Sequence, residues 1–282
     1  MPSTTTLRRL VSGVTFAAAT LLGACGGDSG GLTEPAPGPG PDPHPQPGPS
    51  IQGRPIFGLT CANQLVLFGS GNPGTLARQI TITGMPAGSA MLGMDFGAGG
   101  ALYGVGSDSR VYTIDTLTAA ATPVGGTFAP AVSGEHFGFT VAGDDNLRLS
   151  GVESNQNQGL AASTGATSST DAALAYAAAD ANAGTDAALA AEGFYDGTIY
   201  GIETNANAVV ALSPATGEMT TVGNLPFNVY ICSGMDVDTD GTAYASLATD
   251  SGSGLYTVDL QTGATSFLGG IEGSPVHSIA LP

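Results

Sequence analysis

The densest run of ionisable side chains in this sequence is Asp236-Val-Asp-Thr-Asp240-Gly241. Carboxylates at alternate positions before a glycine match the opening half of a calcium loop, whose oxygens from positions 1, 3 and 5 converge on one ion. Asp236, Asp238 and Asp240 are therefore candidate calcium ligands. The acid that would close such a loop belongs at position 247, where the chain has Leu247. The segment also aligns with Asp95-Phe-Gly-Ala-Gly-Gly100, which lacks the alternating acids. A hairpin built on turn-favouring Asp and Gly is the better reading, with weak calcium binding as its competitor.

Asp95 and Asp236 occupy equivalent places in two related segments, and Glu135 and His136 precede a third. If those segments line a common channel, Asp95, Asp236 and His136 are candidates for its mouth. Carboxylates facing one another there could act as acid and base. Strand-end residues hydrogen-bonded to turn amides would look the same in sequence. Beyond these, the chemistry thins out. No Gly-x-Ser-x-Gly has a histidine partner, no Lys exists for Schiff-base chemistry, and no Cys/His spacing suits zinc. His136 and His277 are the only histidines in the domain and lie far apart in sequence. No catalytic residue is assigned, and no cofactor is expected beyond the calcium alternative.

The elements that must carry these residues show themselves as repeats. Arg110-Val-Tyr-Thr-Ile-Asp-Thr-Leu-Thr recurs as Gly254-Leu-Tyr-Thr-Val-Asp-Leu-Gln-Thr, with a diverged copy over 208–224. Each reads as strand, short turn, strand. Upstream stand Ala101-Leu-Tyr-Gly-Val105, Thr198-Ile-Tyr-Gly-Ile202 and Thr242-Ala-Tyr-Ala-Ser246, with Pro55-Ile-Phe-Gly-Leu59 as a fourth. Phe57 to Tyr103 is 46 residues, Tyr200 to Tyr244 is 44, and Tyr103 to Tyr200 is 97, close to two periods. A degenerate unit is therefore expected in between, with Asn146–Ser150 as its second strand. Leu92–Phe96, Phe137–Val141 and Ser233–Val237 supply a further strand to three of the units. Four strands over some 45 residues is the period of a propeller blade. The first unit lacks an inner strand, and Pro275–Leu281 looks like an unattached one. The fold expected is an all-β, five-bladed β-propeller over residues 51–282, closed by pairing of the C-terminal strand with the N-terminal blade. On propensity the Ala-rich stretch 171–193 reads as helix. The repeat register instead asks for an outer strand near 172–178 and an inner strand near 187–195, and we take the register.

Residues 1–24 have the form of a bacterial lipoprotein signal peptide. Arg8 and Arg9 precede an apolar run too short to span a bilayer, and Leu22-Gly23-Ala24-Cys25 resembles a lipobox. That resemblance implies lipidation of Cys25, which becomes the first residue of the mature chain. Gly26 follows rather than Asp, so the expected address is the outer membrane, on its periplasmic side or at the cell surface. Residues 25–50 form a Gly/Pro-rich linker with Pro at every second position from Pro35 to Pro49, a composition that favours extended polyproline conformations. With Cys25 lipidated, Cys61 and Cys232 are left as a pair in an oxidising compartment, where a disulfide is expected. In the chain-entropy model a loop of that length contributes on the order of 4–5 kcal/mol.

Six basic residues against 23 acidic ones give a net charge of −17, and loss of Arg8 and Arg9 takes it to −19. Nucleic acid and anionic headgroups both need a basic footprint, so neither is an expected partner.

The segments Ile56-Phe-Gly-Leu-Thr60, Asp171-Ala-Ala-Leu-Ala-Tyr-Ala-Ala-Ala-Asp-Ala-Asn-Ala-Gly184 and Gly254-Leu-Tyr-Thr-Val-Asp-Leu-Gln-Thr-Gly-Ala-Thr265 resemble a bacterial domain-of-unknown-function family numbered 4394. The resemblance spans Ile56 to Leu281. It implies an exported propeller-like protein and brings no catalytic residues with it. The expected function is a binding or scaffolding module, monomeric, membrane-bound only through its lipid, with a glycan or protein as ligand. The alternative is a calcium-dependent hydrolase or lyase acting on extracellular glycans or phosphate esters.

Overall fold

The computed structural model describes residues 49–144 and 146–282. The signal peptide, Cys25 and nearly all of the linker lie outside the described residues. What is described is built from strands. Blade 1 contains β1 (Pro55–Thr60), β2 (Gln64–Gly69) and β3 (Arg78–Thr81). Blade 2 is β4 (Met91–Phe96), β5 (Leu102–Gly106), β6 (Arg110–Ile114) and β7 (Ala121–Val124). Blade 3 is β8 (Phe137–Val141), β9 (Asn146–Gly151), β10 (Asn157–Ala161) and β11 (Thr167–Thr170). A short β12 (Ala175–Tyr176) precedes blade 4, which is β13 (Leu189–Tyr195), β14 (Thr198–Glu203), β15 (Ala208–Ser213) and β16 (Glu218–Asn224). Blade 5 is β17 (Val229–Val237), β18 (Ala243–Thr249), β19 (Gly252–Val258) and β20 (Thr265–Gly270). The last strand, β21 (Val276–Ala280), pairs antiparallel with β1 in the register Phe57↔Ala280 and Gly58↔Ile279, supplying the inner strand of blade 1.

The five inner strands touch in the closed order β21, β4, β8, β13, β17 and back to β21. The fold is thus the expected five-bladed propeller, zipped by its C-terminus. Crowding at the axis explains a recurring sequence feature. A Cβ on Gly234 would come within 2.7 Å of the Ser278 Cα, and one on Gly93 within 2.5 Å of the Phe139 Cβ. Inner strands approach this closely only where one of them has no side chain, hence the Gly-Met-Asp and Gly-Phe-Thr copies.

Apolar clusters fill the seams between blades. Leu59, Leu65, Met91 and Met94 join blades 1 and 2, and Val105, Val111, Phe139 and Leu149 join blades 2 and 3. Ile202, Val209, Met235 and Leu247 join blades 4 and 5, and Ile56, Phe68, Leu255 and Ile279 join blades 5 and 1. The repeated Asp of the outer hairpins is structural. Asp115 accepts from Leu117 N and Thr118 N, both at 2.8 Å, and Asp259 from Gln261 N and Thr262 N at 2.8 and 2.9 Å. Cys61 and Cys232 form the expected disulfide, tying the end of β1 to β17 across 171 residues with Cα atoms 6.8 Å apart.

The Ala-rich stretch is strand and turn rather than helix, as the register asks. Its outer strand is nevertheless allotted differently. The fourth strand of blade 3 is β11, upstream, while β12 runs parallel to β16 as a fifth strand of blade 4. The cause lies at Asp171. Arg148 holds its carboxylate at 2.7 Å, and Asn157 Nδ2 donates both to Ala172 O at 2.9 Å and to Pro214 O at 2.6 Å. The chain is thereby turned off blade 3 and handed to the edge of blade 4.

Candidate functional site at the two mouths of the ring

All five inner strands run the same way through the ring, so their starts gather at one mouth and their ends at the other. Asp95 and Asp236 sit near the ends of β4 and β17, each 6% exposed. Asp95 Oδ2 accepts from Val141 N at 2.7 Å and Thr140 Oγ1 at 3.0 Å, and Oδ1 from Phe96 N at 2.6 Å. Asp236 Oδ1 accepts from Val237 N at 2.7 Å, and Oδ2 from Leu281 N at 2.8 Å. Each carboxylate therefore caps its own strand end and reaches the next blade, Asp95 to blade 3 and Asp236 to blade 1.

The two carboxyls also lie close enough to influence each other's ionisation. Burial pushes Asp95 up to about 6, held back by its bonds from Val141, Thr140 and Phe96. Burial, and next the charge of Asp95, raises Asp236 well above the usual carboxylate range. Two buried carboxyls that repel each other's charge do not both ionise in the ordinary range.

The other acids of the run part company with Asp236. Asp238 pairs with Arg54, Nε to Oδ2 at 2.8 Å, and the same guanidinium donates to Pro282 O at 2.6 Å. Asp240 is exposed and accepts from Thr242 N at 2.8 Å, which holds its carboxyl below the usual range. The three carboxylates thus face three different partners. Among the described residues, no three His, Cys, Asp or Glu side chains stand together as a metal site.

His136 lies at the other mouth, with all of β8 between it and the Val141 amide that Asp95 engages. At that mouth a cavity of about 160 Å³ is lined by Asn63, Met91, Leu92, Glu135, His136 and His277, with the Cys61–Cys232 bridge in its wall. His136 Nδ1 meets Glu153 Oε1 at 2.5 Å. Glu153 Oε2 accepts from the Glu135 and His136 amides at 3.1 and 3.3 Å. Burial works to raise Glu153, but these bonds, led by the one from His136, bring it net below its ordinary value. Burial, and then the neighbouring His136, pushes His277 down to about 4 against the Met91 carbonyl, so its ring is neutral at physiological pH. Ile231 stands exposed beside Cys232 in the cavity lining, and Tyr230, its neighbour in sequence, is exposed as well.

Sequence reasoning left His277 and Glu153 without a role. Alternation along β21 would have turned His277 toward the ring once the strand was given to blade 1. Nothing in the spacing of Glu153, in the β9–β10 turn, marks it as the partner of His136.

One seam departs from the apolar rule. Between blades 3 and 4, Glu192 is 1% exposed, its Oε1 bonded to Ser150 Oγ and its Oε2 without a partner. Burial raises it to about 7, partly offset by Ser150 and by the charge of Arg148.

A closed ring of five antiparallel sheets with ionisable groups gathered at each mouth defines the protein as a five-bladed β-propeller. The sequence profile of the family described as a domain of unknown function (DUF4394) matches residues 64–280, and the chain belongs to that family. No curated protein matches the sequence. Among solved structures, a protein of unknown function from Bacteroides caccae is similar at a TM-score of 0.51 and 10% identity, over 80% of this chain and 82% of that one. Virginiamycin B lyase from Staphylococcus aureus is similar at a TM-score of 0.43 and 11% identity, over 76% of this chain and 69% of that one. The computationally designed Ika4 protein follows at 0.36 and 11%, over 63% and 97%.

Proposed function

We propose that the protein is an exported, lipid-anchored binding module that takes its ligand at the histidine mouth. The observation that carries this is the contrast between the two ends of the ring. At the carboxylate mouth every oxygen of Asp95 and Asp236 is occupied by the protein itself. At the histidine mouth, polar edges of Asn63, Glu135, His136 and His277 meet apolar Met91 and Leu92 around open space. A concave apolar site with a few convergent polar groups is the usual form of a ligand site. Drug-sized ligands fill roughly 300 Å³ or more. A cavity of about 160 Å³ therefore suits a single sugar ring, or one side chain projecting from a larger partner seated on Tyr230 and Ile231.

Saturation-transfer NMR with a panel of neutral mono- and disaccharides and free amino acids should give at least one binder. Its signal should vanish in Ala90→Trp, which plugs the opening from an exposed rim position. Silence across the panel, or binding indifferent to the plug, argues against the site. The anchor rests on the lipobox. Wild-type protein should incorporate a fatty-acid label and sediment with membranes, and Cys25→Ser should do neither. A labelled Cys25→Ser protein would end that part of the proposal.

A further inference from the structure

The face around the histidine mouth carries one sign of charge. Glu135 precedes β8, Glu153 follows β9, Asp186 precedes β13, Asp250 follows β18 and Glu272 precedes β21, all of them exposed. The arginines of the described residues are engaged elsewhere or paired. Arg54 holds Asp238 at the opposite mouth, Arg78 donates to the Thr116 carbonyl, and Arg148 is buried against Asp171. Arg110, on the same side as His136, lies 3.5 Å from Asp108. In the cavity itself, Met91, Leu92, Phe137 and Ile231 supply apolar wall, and the exposed Glu135 supplies an acid at its lip. A bulge shapes the edge on blade 5. Tyr230 pairs with Ala248 and Gly234 with Ser246, so Ile231, Cys232 and Ser233 together oppose Leu247. Bulges of this kind re-aim side chains beside binding sites. Here Ile231 and Cys232 enter the cavity lining, and Tyr230 is 49% exposed with its hydroxyl tied to Asp250.

An apolar wall with a carboxylate at its lip is complementary to Lys or Arg, whose side chains bury an apolar stem and keep a cationic head in polar surroundings. Resting on the reading of this mouth as the binding site, we propose that its partner is a basic segment of another protein, which inserts one lysine or arginine side chain into the cavity. The stem lies along Met91, Leu92 and Phe137, and the head meets Glu135. The surrounding acids steer a basic partner toward this face and reject acidic ones. Tyr230, fixed through its hydroxyl, offers a ring face to a further cation of the same segment.

The test is saturation-transfer NMR on tag-free, full-chain protein in detergent at pH 7.5. The probes are acetyl-Gly-Ala-X-Ala-Gly-amide peptides in which X is Lys, Arg, norleucine or Glu. The Lys and Arg peptides should bind, with transfer strongest at the side-chain methylenes of X. Norleucine keeps the stem without the charge and should bind about 2- to 5-fold more weakly, the range of a partly exposed ion pair. The Glu peptide should not bind. Glu135→Gln should erase the preference for Lys over norleucine, and Ala90→Trp should abolish binding of both. Asp238→Ala, at the opposite mouth, should change nothing. Raising NaCl from about 0.05 to about 0.5 M should shrink the Lys preference, since salt screens exposed charges. Norleucine binding as well as Lys, a preference that survives Glu135→Gln, or Lys binding indifferent to Ala90→Trp overturns the proposal. If all the peptides fail while the sugar and amino-acid panel still yields a binder blocked by Ala90→Trp, the mouth stands as a small-molecule site and the basic partner alone is lost. If both fail, the binding-site reading falls with it.

Discussion

The Asp95–Asp236 pair shows how position changes what a carboxylate is for. Both have the type and placement expected of an acid and a base at a channel mouth, and both are raised, Asp95 to about 6. Their oxygens, however, are spent on holding blade to blade. The consequence is a stability profile. A carboxyl whose folded pKa lies above its unfolded value binds more protons in the folded state, so its contribution is lost as pH rises between the two values. For Asp95 that window runs from 3.8 to about 6, a cost of up to about 3 kcal/mol at pH 7.5. Glu192 extends the same sense up to about 7. His277, lowered to about 4, works the opposite way, removing stability as pH falls below 6.5. Three raised carboxyls outweigh one lowered histidine, so the melting temperature should rise from pH 7.5 to pH 5. The rise should shrink in Asp236→Asn and again in Glu192→Gln. Equal slopes in wild type and both variants would show that these groups titrate normally.

At the scale of the strand, the sequence was legible where the same job recurs. Tyr103, Tyr200 and Tyr244 mark second strands, Gly93 and Gly234 mark the crowded axis, and Asp115 and Asp259 mark outer turns. Each requirement is imposed by local geometry, so each copy solves it with the same residue. Blade 3 was hard to read because it solves a different problem. Its second strand carries Arg148 where the others have Tyr or Phe; Asp171, just after β11, neutralises it, and Asn157 in β10 and Ser169 in β11 accept its hydrogen bonds. An ion pair between strands leaves no periodic trace. It also explains why β12 was misallotted, since the handover to blade 4 depends on where Asp171 is held and not on the propensity of alanines. The histidine mouth was opaque for a related reason. His136, Glu153 and His277 belong to three segments that only closure of the ring assembles.

Closure is therefore the property on which the whole molecule turns, and it resides in seven residues. β21 buries Val276 and Ile279 in the seam between blades 5 and 1, followed by Leu281. Ser278 Oγ accepts from Met94 N at 3.1 Å and donates to Met94 O at 2.9 Å, and Leu281 N reaches Asp236. Burying three such aliphatic side chains contributes roughly 1.5–3 kcal/mol each, against a typical domain stability of about 5–15 kcal/mol. Without β21, the inner edge of β1 would also present unpaired backbone groups to solvent and to other chains. A chain ending at Pro275 should therefore fail to show a cooperative melt and should aggregate, even with the Cys61–Cys232 bridge formed. The decisive control keeps the contacts of β21 and changes its connection. Arg54 donates to Pro282 O at 2.6 Å, so the end of β21 lies beside the entrance to β1. A permutant that begins at Ser274, joins Pro282 to Arg54 through a few glycines and ends at Gly273 makes blade 1 local in sequence. It should melt within a few degrees of the parent measured as residues 49–282. If the truncated chain melts like the parent, the ring does not depend on its last strand. If the permutant fails as well, the order of synthesis rather than the contacts of β21 governs folding.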